Sequence, residues 1–135
     1  MATKILIIED NEENLDLFST LLKRRGYDTL EARNGVEGVR LAFEEKPQLI
    51  LLDIQMPVMD GWEALKILKD EPSTRNIPSI ALTSDHVTEG RHGFIKLGFD
   101  DYIPKPVLLK EFMRIVEEHL NHRGRRERTG KSYAE

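Results

Sequence analysis

Short apolar runs alternate along this chain with segments in which apolar residues recur at every third or fourth position. Fully apolar runs of four to six residues are typical of strands buried on both faces, and the longer period is typical of amphipathic helices. The pattern therefore predicts five strands, each followed by a helix. The strands are predicted at Lys4–Ile8, Asp28–Ala32, Leu49–Leu52, Ile77–Leu82 and Asp101–Pro104.

Capping and breaking residues mark some of the ends of the five predicted helices. Asn34 and Asp60 are each followed three residues later by a glutamate, which is the spacing of a capping box. Val36 belongs to the predicted apolar side of the second helix, and Leu108 to that of the fifth. The helices are predicted after Asp10 as far as Gly26, from Asn34 to just before Pro47, from Asp60 through Leu68, from Val87 to Leu97, and from Val107 to Leu120.

Regular alternation of strands and helices predicts an α/β domain with a doubly wound, five-stranded parallel sheet and helices on both faces. We expect the strand order 2-1-3-4-5. In such sheets the ligand crevice lies beyond the carboxyl ends of the strands, where the winding reverses. That point lies between the first and third strands.

Composition indicates a globular chain without thiol chemistry. The 135 residues fit one domain, 39% are hydrophobic, and cysteine is absent. Disulfides, thiolate metal sites and a cysteine nucleophile are therefore excluded. No apolar stretch approaches the length of about 18 residues that a membrane span requires, and the N-terminus does not resemble a signal segment, so we expect a cytoplasmic protein.

The net charge of -4 is distributed unevenly. Residues 121–135 contain five Lys or Arg and two Asp or Glu, which is +3, and the other 120 residues therefore carry -7. An acidic body argues against nucleic-acid binding by the domain itself. We expect a domain over residues 1–121 and a basic, solvated, disordered tail over residues 122–135, although the tail's arginines could contact a phosphate surface or an acidic partner.

Polar residues follow four of the predicted strands, at the edge where the carboxyl ends meet. Glu9 and Asp10 follow the first strand, Asp53 the third, Thr83 the fourth and Lys105 the fifth. Three clustered carboxylates repel one another and favour a cation, and Mg²⁺ accepts carboxylates together with a phosphate oxygen. With this cation and the ammonium balancing charge, Asp53 could attack a phosphoryl donor to form an aspartyl phosphate, with the Thr83 hydroxyl and Lys105 contacting the phosphoryl oxygens.

Each residue alone also has a simpler interpretation. Asp10 could be a helix N-cap, Asp53 and Thr83 could stabilise turns, and Lys105 could be a solvated side chain. Glu9 ends a buried strand and needs a partner there. Only the coincidence of all these strand ends at one edge favours the functional interpretation.

These motifs resemble the receiver domains of two-component response regulators, over about residues 4–121. Their order and spacing make the resemblance specific. The matching segments are Ile7-Ile8-Glu9-Asp10-Asn11, Leu52-Asp53-Ile54-Gln55-Met56-Pro57-Val58-Met59-Asp60-Gly61, Ala81-Leu82-Thr83-Ser84 and Gly98-Phe99-Asp100-Asp101-Tyr102-Ile103-Pro104-Lys105-Pro106.

The resemblance implies a flavodoxin-like fold and a phosphorylation-activated signalling switch. Asp53 would accept a phosphoryl group from a phosphohistidine on a histidine kinase or histidine phosphotransfer protein. Thr83 and Lys105 would contact that group. The implied Mg²⁺ ligands are Glu9, Asp10, Asp53 and the main-chain carbonyl of Gln55.

The resemblance also implies how phosphorylation is transmitted. Tyr102 matches the family's aromatic switch position, which turns inward when Thr83 moves toward the phosphate. A downstream protein would then bind the face formed by the fourth helix, fifth strand and fifth helix. The Lys105–Pro106 bond matches one that the family holds in the cis form. Such a protein is no enzyme beyond its own phosphoryl transfer and dephosphorylation.

The absence of a DNA-binding segment favours a stand-alone receiver, and the region around Asp53 is more similar to the family's single-domain cell-cycle regulators than to its chemotaxis regulators. A phosphorelay intermediate, a receiver cut from a hybrid histidine kinase and a non-phosphorylated scaffold are alternatives. An aspartate-based phosphatase is disfavoured, because Gln55 stands where its general acid would be. A flavin or nucleotide binder is disfavoured because residues 9–13 are acidic instead of a glycine-rich phosphate loop.

Overall fold

A five-stranded parallel sheet forms the centre of the molecule. The computed structural model describes residues 3–56, 59–83 and 98–129, with side chains as far as Asn121. The sheet order is β2-β1-β3-β4-β5, which confirms the predicted topology. The strands are β1 (Lys4–Ile8), β2 (Asp28–Ala32), β3 (Leu49–Asp53), β4 (Ser79–Thr83) and β5 (Asp101–Pro104).

Among the described residues, three helices connect β1 to β4, and a longer helix follows β5. They are α1 (Glu12–Arg24), α2 (Gly35–Glu45), α3 (Gly61–Asp70) and the C-terminal helix (Leu109–Thr129). The helix predicted at Val87–Leu97 lies outside the described residues. The C-terminal helix continues nine residues past the predicted end at Leu120, through the first part of the segment that was expected to be a disordered tail.

The helix caps explain where α1, α2 and α3 begin. Asn11 caps α1, because its side chain accepts a hydrogen bond from the amide of Asn14. Asn34 caps α2 in the same way, and Asp60 caps α3 in a complete capping box with Glu63. The cap of α1 is therefore not Asp10, and the simpler interpretation of that residue is wrong.

The core has two halves, one on each face of the sheet, because successive strand residues point to opposite sides. Leu6 and Ile8 of β1 pack with α2 and α3, whereas Ile5 and Ile7 pack with α1 and the C-terminal helix. On the second face, Phe18 and Phe112 stack with ring centroids 5.0 Å apart. In the part of the chain that the structure describes, no helix is long and apolar enough to cross a membrane.

Two apolar residues that the periodicity assigned to buried helix faces lie at the surface. Val36 in the first turn of α2 is 54% exposed, and Leu108, just before the C-terminal helix, is 71% exposed. Val36 lies in a turn whose buried residues are Gly35 and Gly38, and Leu108 precedes the first residue of the C-terminal helix. The neighbouring core positions Val39 and Phe112 are buried as predicted.

Candidate functional site

The strand register places the predicted site residues at one edge of the sheet. Ile8 of β1 pairs with Leu52 of β3, so Glu9 and Asp53 follow at the same level. Asp53 pairs in turn with Leu82, the residue before Thr83. Glu9, Asp53 and Thr83 are buried, whereas Asp10 is exposed.

The three carboxylates of Glu9, Asp10 and Asp53 converge, with one oxygen from each lying within 4.8 Å of the others. Backbone amides orient two of them: Asn11 donates to Glu9 Oε2 at 3.0 Å, and Gln55 donates to Asp53 Oδ1 at 3.0 Å. The acidic cluster expected from the strand ends is therefore present. Gln55 itself is exposed and follows Asp53 by two residues.

Lys105 projects into this cluster and is not merely a solvated side chain. Its Nζ lies 3.2 Å from Asp53 Oδ2, to which it donates a hydrogen bond, and 3.1 Å from Glu9 Oε1. The second contact is an ion pair, and Glu9 Oε1 is otherwise buried without a hydrogen-bond partner among the described residues. The bridge to Glu9 was not predicted, because the sequence suggested Lys105 only as a phosphoryl contact.

The backbone around Lys105 fixes where its side chain starts. The Lys105 amide donates to the Thr83 carbonyl at 2.7 Å, and the Lys105–Pro106 peptide bond is cis, as the resemblance implied. Thr83 is the last residue of β4 and is buried. The loop after β5 is thus tied directly to the end of β4.

Burial and mutual repulsion shape the protonation of the site. Burial, reinforced by the neighbouring Asp53 carboxylate, raises the pKa of Glu9 to about 7. Burial favours the neutral amine of Lys105, but the carboxylates of Asp53 and Glu9 outweigh it and raise the pKa of Lys105. One ammonium therefore does not fully compensate this carboxylate cluster.

The donor set fits a hard divalent cation. The site offers three carboxylates against the Lys105 ammonium, so a further positive charge would reduce the repulsion among them. Glu9, Asp10 and Asp53 are therefore the residues that could hold Mg²⁺.

Tyr102, the predicted switch residue, lies in β5 beside the site. It pairs with Ala81 of β4 and is half-buried against the core on the α2 and α3 face. Its amide donates to Asp101 Oδ1 at 2.8 Å. Tyr102 therefore lies two residues before Pro104, the β5 residue that pairs with Thr83 of β4.

Gly61 supports the loop that carries Asp53, a role that the sequence pattern did not indicate. Its amide donates to the Ile54 carbonyl at 2.9 Å. A Cβ at this position would lie 2.6 Å from both the Asp53 carbonyl oxygen and Ile54 Cα. The capping motif at Asp60 located the helix start, but only the packed structure shows that the backbone after Asp53 touches the helix.

We expect Gly61→Ala to disturb the site as well as the fold. The added methyl meets backbone atoms, which cannot rotate away, so we expect a loss of about 1–3 kcal/mol in the free energy of unfolding and slower phosphorylation of Asp53, the acceptor that the resemblance implies. Denaturant unfolding and the phosphorylation rate would measure the two effects. Ile5→Val, at the far end of β1, is the control: it should cost about 1 kcal/mol without slowing phosphorylation. Equal rates in all three proteins would contradict the assigned role of Gly61.

Comparison with known families agrees with this geometry. The model of the response regulator receiver domain matches residues 5–117 of the chain. The chain belongs to this family. Its fold and its acidic cluster are thus those of a receiver domain, a module of two-component signalling.

Individual relatives extend over nearly the whole receiver domain. The polar-differentiation response regulator DivK of Brucella anthropi is 39% identical over 120 residues, covering 89% of this chain and 98% of that protein. The receiver domain of a Francisella response regulator is 30% identical, with a TM-score of 0.81 and coverage of 89% and 98%. The receiver domain of a Pseudomonas aeruginosa sensor histidine kinase, solved with a magnesium ion in its active-site cleft, is 30% identical, with a TM-score of 0.81 and coverage of 90% and 99%.

Proposed function

We propose that this receiver domain is a phosphorylation-activated switch whose phosphoryl acceptor is Asp53. One carboxylate oxygen of Asp53 attacks the phosphorus of a phosphohistidine on a histidine kinase or phosphotransfer protein. The new O–P bond forms as the N–P bond breaks, and the imidazole leaves with the electron pair and takes up a proton. Hydrolysis of the aspartyl phosphate by water returns the domain to its resting state.

Several groups around Asp53 would each balance part of the negative charge on the phosphoryl oxygens. Glu9, Asp10, Asp53 and the main-chain carbonyl of Gln55 would hold Mg²⁺, which supplies positive charge for the phosphoryl oxygens when bound. The Lys105 ammonium, already 3.2 Å from Asp53 Oδ2, would pair with another phosphoryl oxygen. Thr83 would donate its hydroxyl to a third oxygen. The observation that carries the proposal is the convergence of the Glu9 and Asp10 carboxylates and the Lys105 ammonium on the buried Asp53.

The output of the switch would be binding to a downstream protein in the cytoplasm. Movement of Thr83 toward the phosphoryl group would make room for Tyr102 to turn inward. The surface that changes includes β5, the C-terminal helix and the predicted helix at Val87–Leu97, which lies outside the described residues. A difference of a few kcal/mol between the two states is enough to move such an equilibrium.

A second candidate is the same chemistry within a larger protein. The similarity to the receiver domain of a Pseudomonas sensor histidine kinase favours a receiver that accepts its phosphoryl group inside a hybrid histidine kinase. The roles of Asp53 and Lys105 are identical in both settings. A scaffold that is never phosphorylated is the outcome that the experiment below would reveal.

The proposal predicts phosphorylation that depends on a divalent cation. We expect the wild-type protein, incubated with a small-molecule phosphodonor and Mg²⁺, to gain the mass of one phosphoryl group. EDTA should prevent this gain, because the carboxylate cluster would then repel the anionic donor. Intact-mass spectrometry measures both results. No mass gain with the donor, together with no binding of a beryllofluoride phosphoryl mimic, would support the scaffold instead.

A further inference from the structure

Asp10 is the least constrained of the three carboxylates in the site. Glu9 and Asp53 are buried, and each accepts a hydrogen bond from a nearby backbone amide. Asp10 is exposed, and no residue in the described part of the chain forms a hydrogen bond or ion pair with its carboxylate. The position of this carboxylate is therefore set by the backbone that carries it.

That backbone is tied to the end of β2 at two points. At one end of the segment 9–12, the Glu9 amide donates to the Ala32 carbonyl at 2.9 Å. At the other end, the Arg33 guanidinium donates from Nε to Glu12 Oε1 and from Nη2 to Glu12 Oε2, the latter at 3.3 Å. The two ties attach to consecutive residues, Ala32 and Arg33, so they clamp the segment that contains Asp10.

Arg33 is itself held in place by the start of α2. Its amide donates to Glu37 Oε1 at 2.8 Å, while the Glu37 amide donates to Asn34 Oδ1 at 2.8 Å. The planar guanidinium then meets the Glu12 carboxylate through two nitrogens, a geometry that restricts orientation more than a single contact does. The chain of contacts runs from α2 through Arg33 to the first turn of α1.

We propose that Arg33 is a positioning residue for the metal site: through Glu12 it holds the segment 9–12 so that the Asp10 carboxylate faces Glu9 and Asp53. The inference rests on the proposed function, because it concerns the affinity of this site for Mg²⁺. Arg33 does not touch the cation or the phosphoryl group in this role. Both side chains are about half exposed, so the expected effect on affinity is modest.

The substitution Arg33→Gln separates positioning from simple electrostatics. Removing a positive charge near a cation site strengthens cation binding by electrostatics alone. Loss of the clamp has the opposite effect, and we expect about two- to fivefold weaker Mg²⁺ binding. Glu12→Gln weakens Mg²⁺ binding whether the pair acts through positioning or through charge. The informative result is therefore whether Arg33→Gln weakens or strengthens Mg²⁺ binding. Backbone amide shifts in an NMR titration with Mg²⁺, without phosphodonor, would give both dissociation constants.

A double variant and a matched control complete the test. If the pair acts as a clamp, Glu12→Gln with Arg33→Gln should still bind Mg²⁺ more weakly than the wild-type protein, because the contact is lost although the net charge is unchanged. If only charge matters, the two effects cancel and the double variant returns to the wild-type affinity. Arg40→Gln breaks another exposed ion pair, with Glu44 within α2, and should leave Mg²⁺ affinity unchanged.

The possible outcomes distinguish this inference from the function on which it rests. Wild-type protein that binds no Mg²⁺ would overturn both. Wild-type binding with equal or tighter binding by Arg33→Gln would overturn the positioning role alone. Weaker binding by Arg33→Gln, with a non-additive double variant, would establish it.

Discussion

Asp53→Asn is expected to abolish phosphorylation completely. The amide that replaces the carboxylate is not a nucleophile toward phosphorus, and the side chain keeps its size in a buried position at the end of β3. Intact-mass spectrometry after incubation with phosphodonor and Mg²⁺ should therefore show no phosphoryl adduct. The fold should persist, because Lys105 keeps its ion pair with Glu9 while the repulsion between Glu9 and Asp53 disappears.

Asp101→Asn is the matched control for this experiment. Asp101 is also a buried aspartate in a strand, but it begins β5 at the opposite edge of the sheet and pairs with His119 at 3.0 Å. We expect this variant to be phosphorylated like the wild-type protein. An adduct on Asp53→Asn, or its loss in Asp101→Asn, would assign the acceptor to another residue.

The strands were the most predictable part of the fold. β1, β2 and β5 have the predicted bounds, and β3 extends one residue further, to Asp53. β4 begins at Ser79, two residues after the predicted start, and ends at Thr83, one residue after the predicted end. β1, β3 and β4 are covered on both faces and are mostly apolar, which gives them a clear sequence pattern. Because parallel strands end at one edge, the strand ends also predicted where the site lies.

The helix surfaces were less predictable, because periodicity identifies a face but not how far the sheet covers it. Val36 and Leu108 have the correct spacing but lie at helix ends, where both side chains are exposed. The end of the C-terminal helix was misjudged for a related reason. Apolar spacing stops near Leu120, yet a helix needs no apolar face to continue, and the arginines beyond it are good helix formers.

Contacts within the site between residues far apart in the chain could not be predicted from the sequence. The identities of the carboxylates and of Lys105 followed from the strand ends. The ion pair of Lys105 with Glu9 and the approach of Gly61 to the Asp53 backbone depend on ångström-scale placement of loops. An exposed ion pair such as that of Arg33 with Glu12 produces no periodic pattern in the sequence, so it could not be predicted.

Lys105→Ala is expected to permit some phosphorylation but to uncouple the switch. The Asp53 nucleophile remains, whereas the ammonium that links β5 to the phosphoryl group is lost. Without metal, the free energy of unfolding should fall by about 2 kcal/mol, because two buried carboxylates lose their ionic partner. Folding raises the pKa of Lys105 above its ordinary 10.5, so this stabilisation is lost as the pH rises through the higher folded-state value. The part that comes from Glu9 also falls as the pH drops through about 7, where Glu9 takes up a proton. Denaturant unfolding at pH 8 measures the loss.

Uncoupling would be measured with beryllofluoride and Mg²⁺, by following the amide of Tyr102 in NMR spectra. The wild-type protein should show a large shift of this amide on activation, and Lys105→Ala should show little, although intact mass still detects phosphorylation with a phosphodonor. Lys4→Ala breaks an exposed ion pair with Glu45 and is the control, with an expected cost within about 1 kcal/mol and a normal Tyr102 response. A wild-type response in Lys105→Ala would show that the signal reaches β5 without this lysine, leaving Thr83 as the group through which phosphorylation acts.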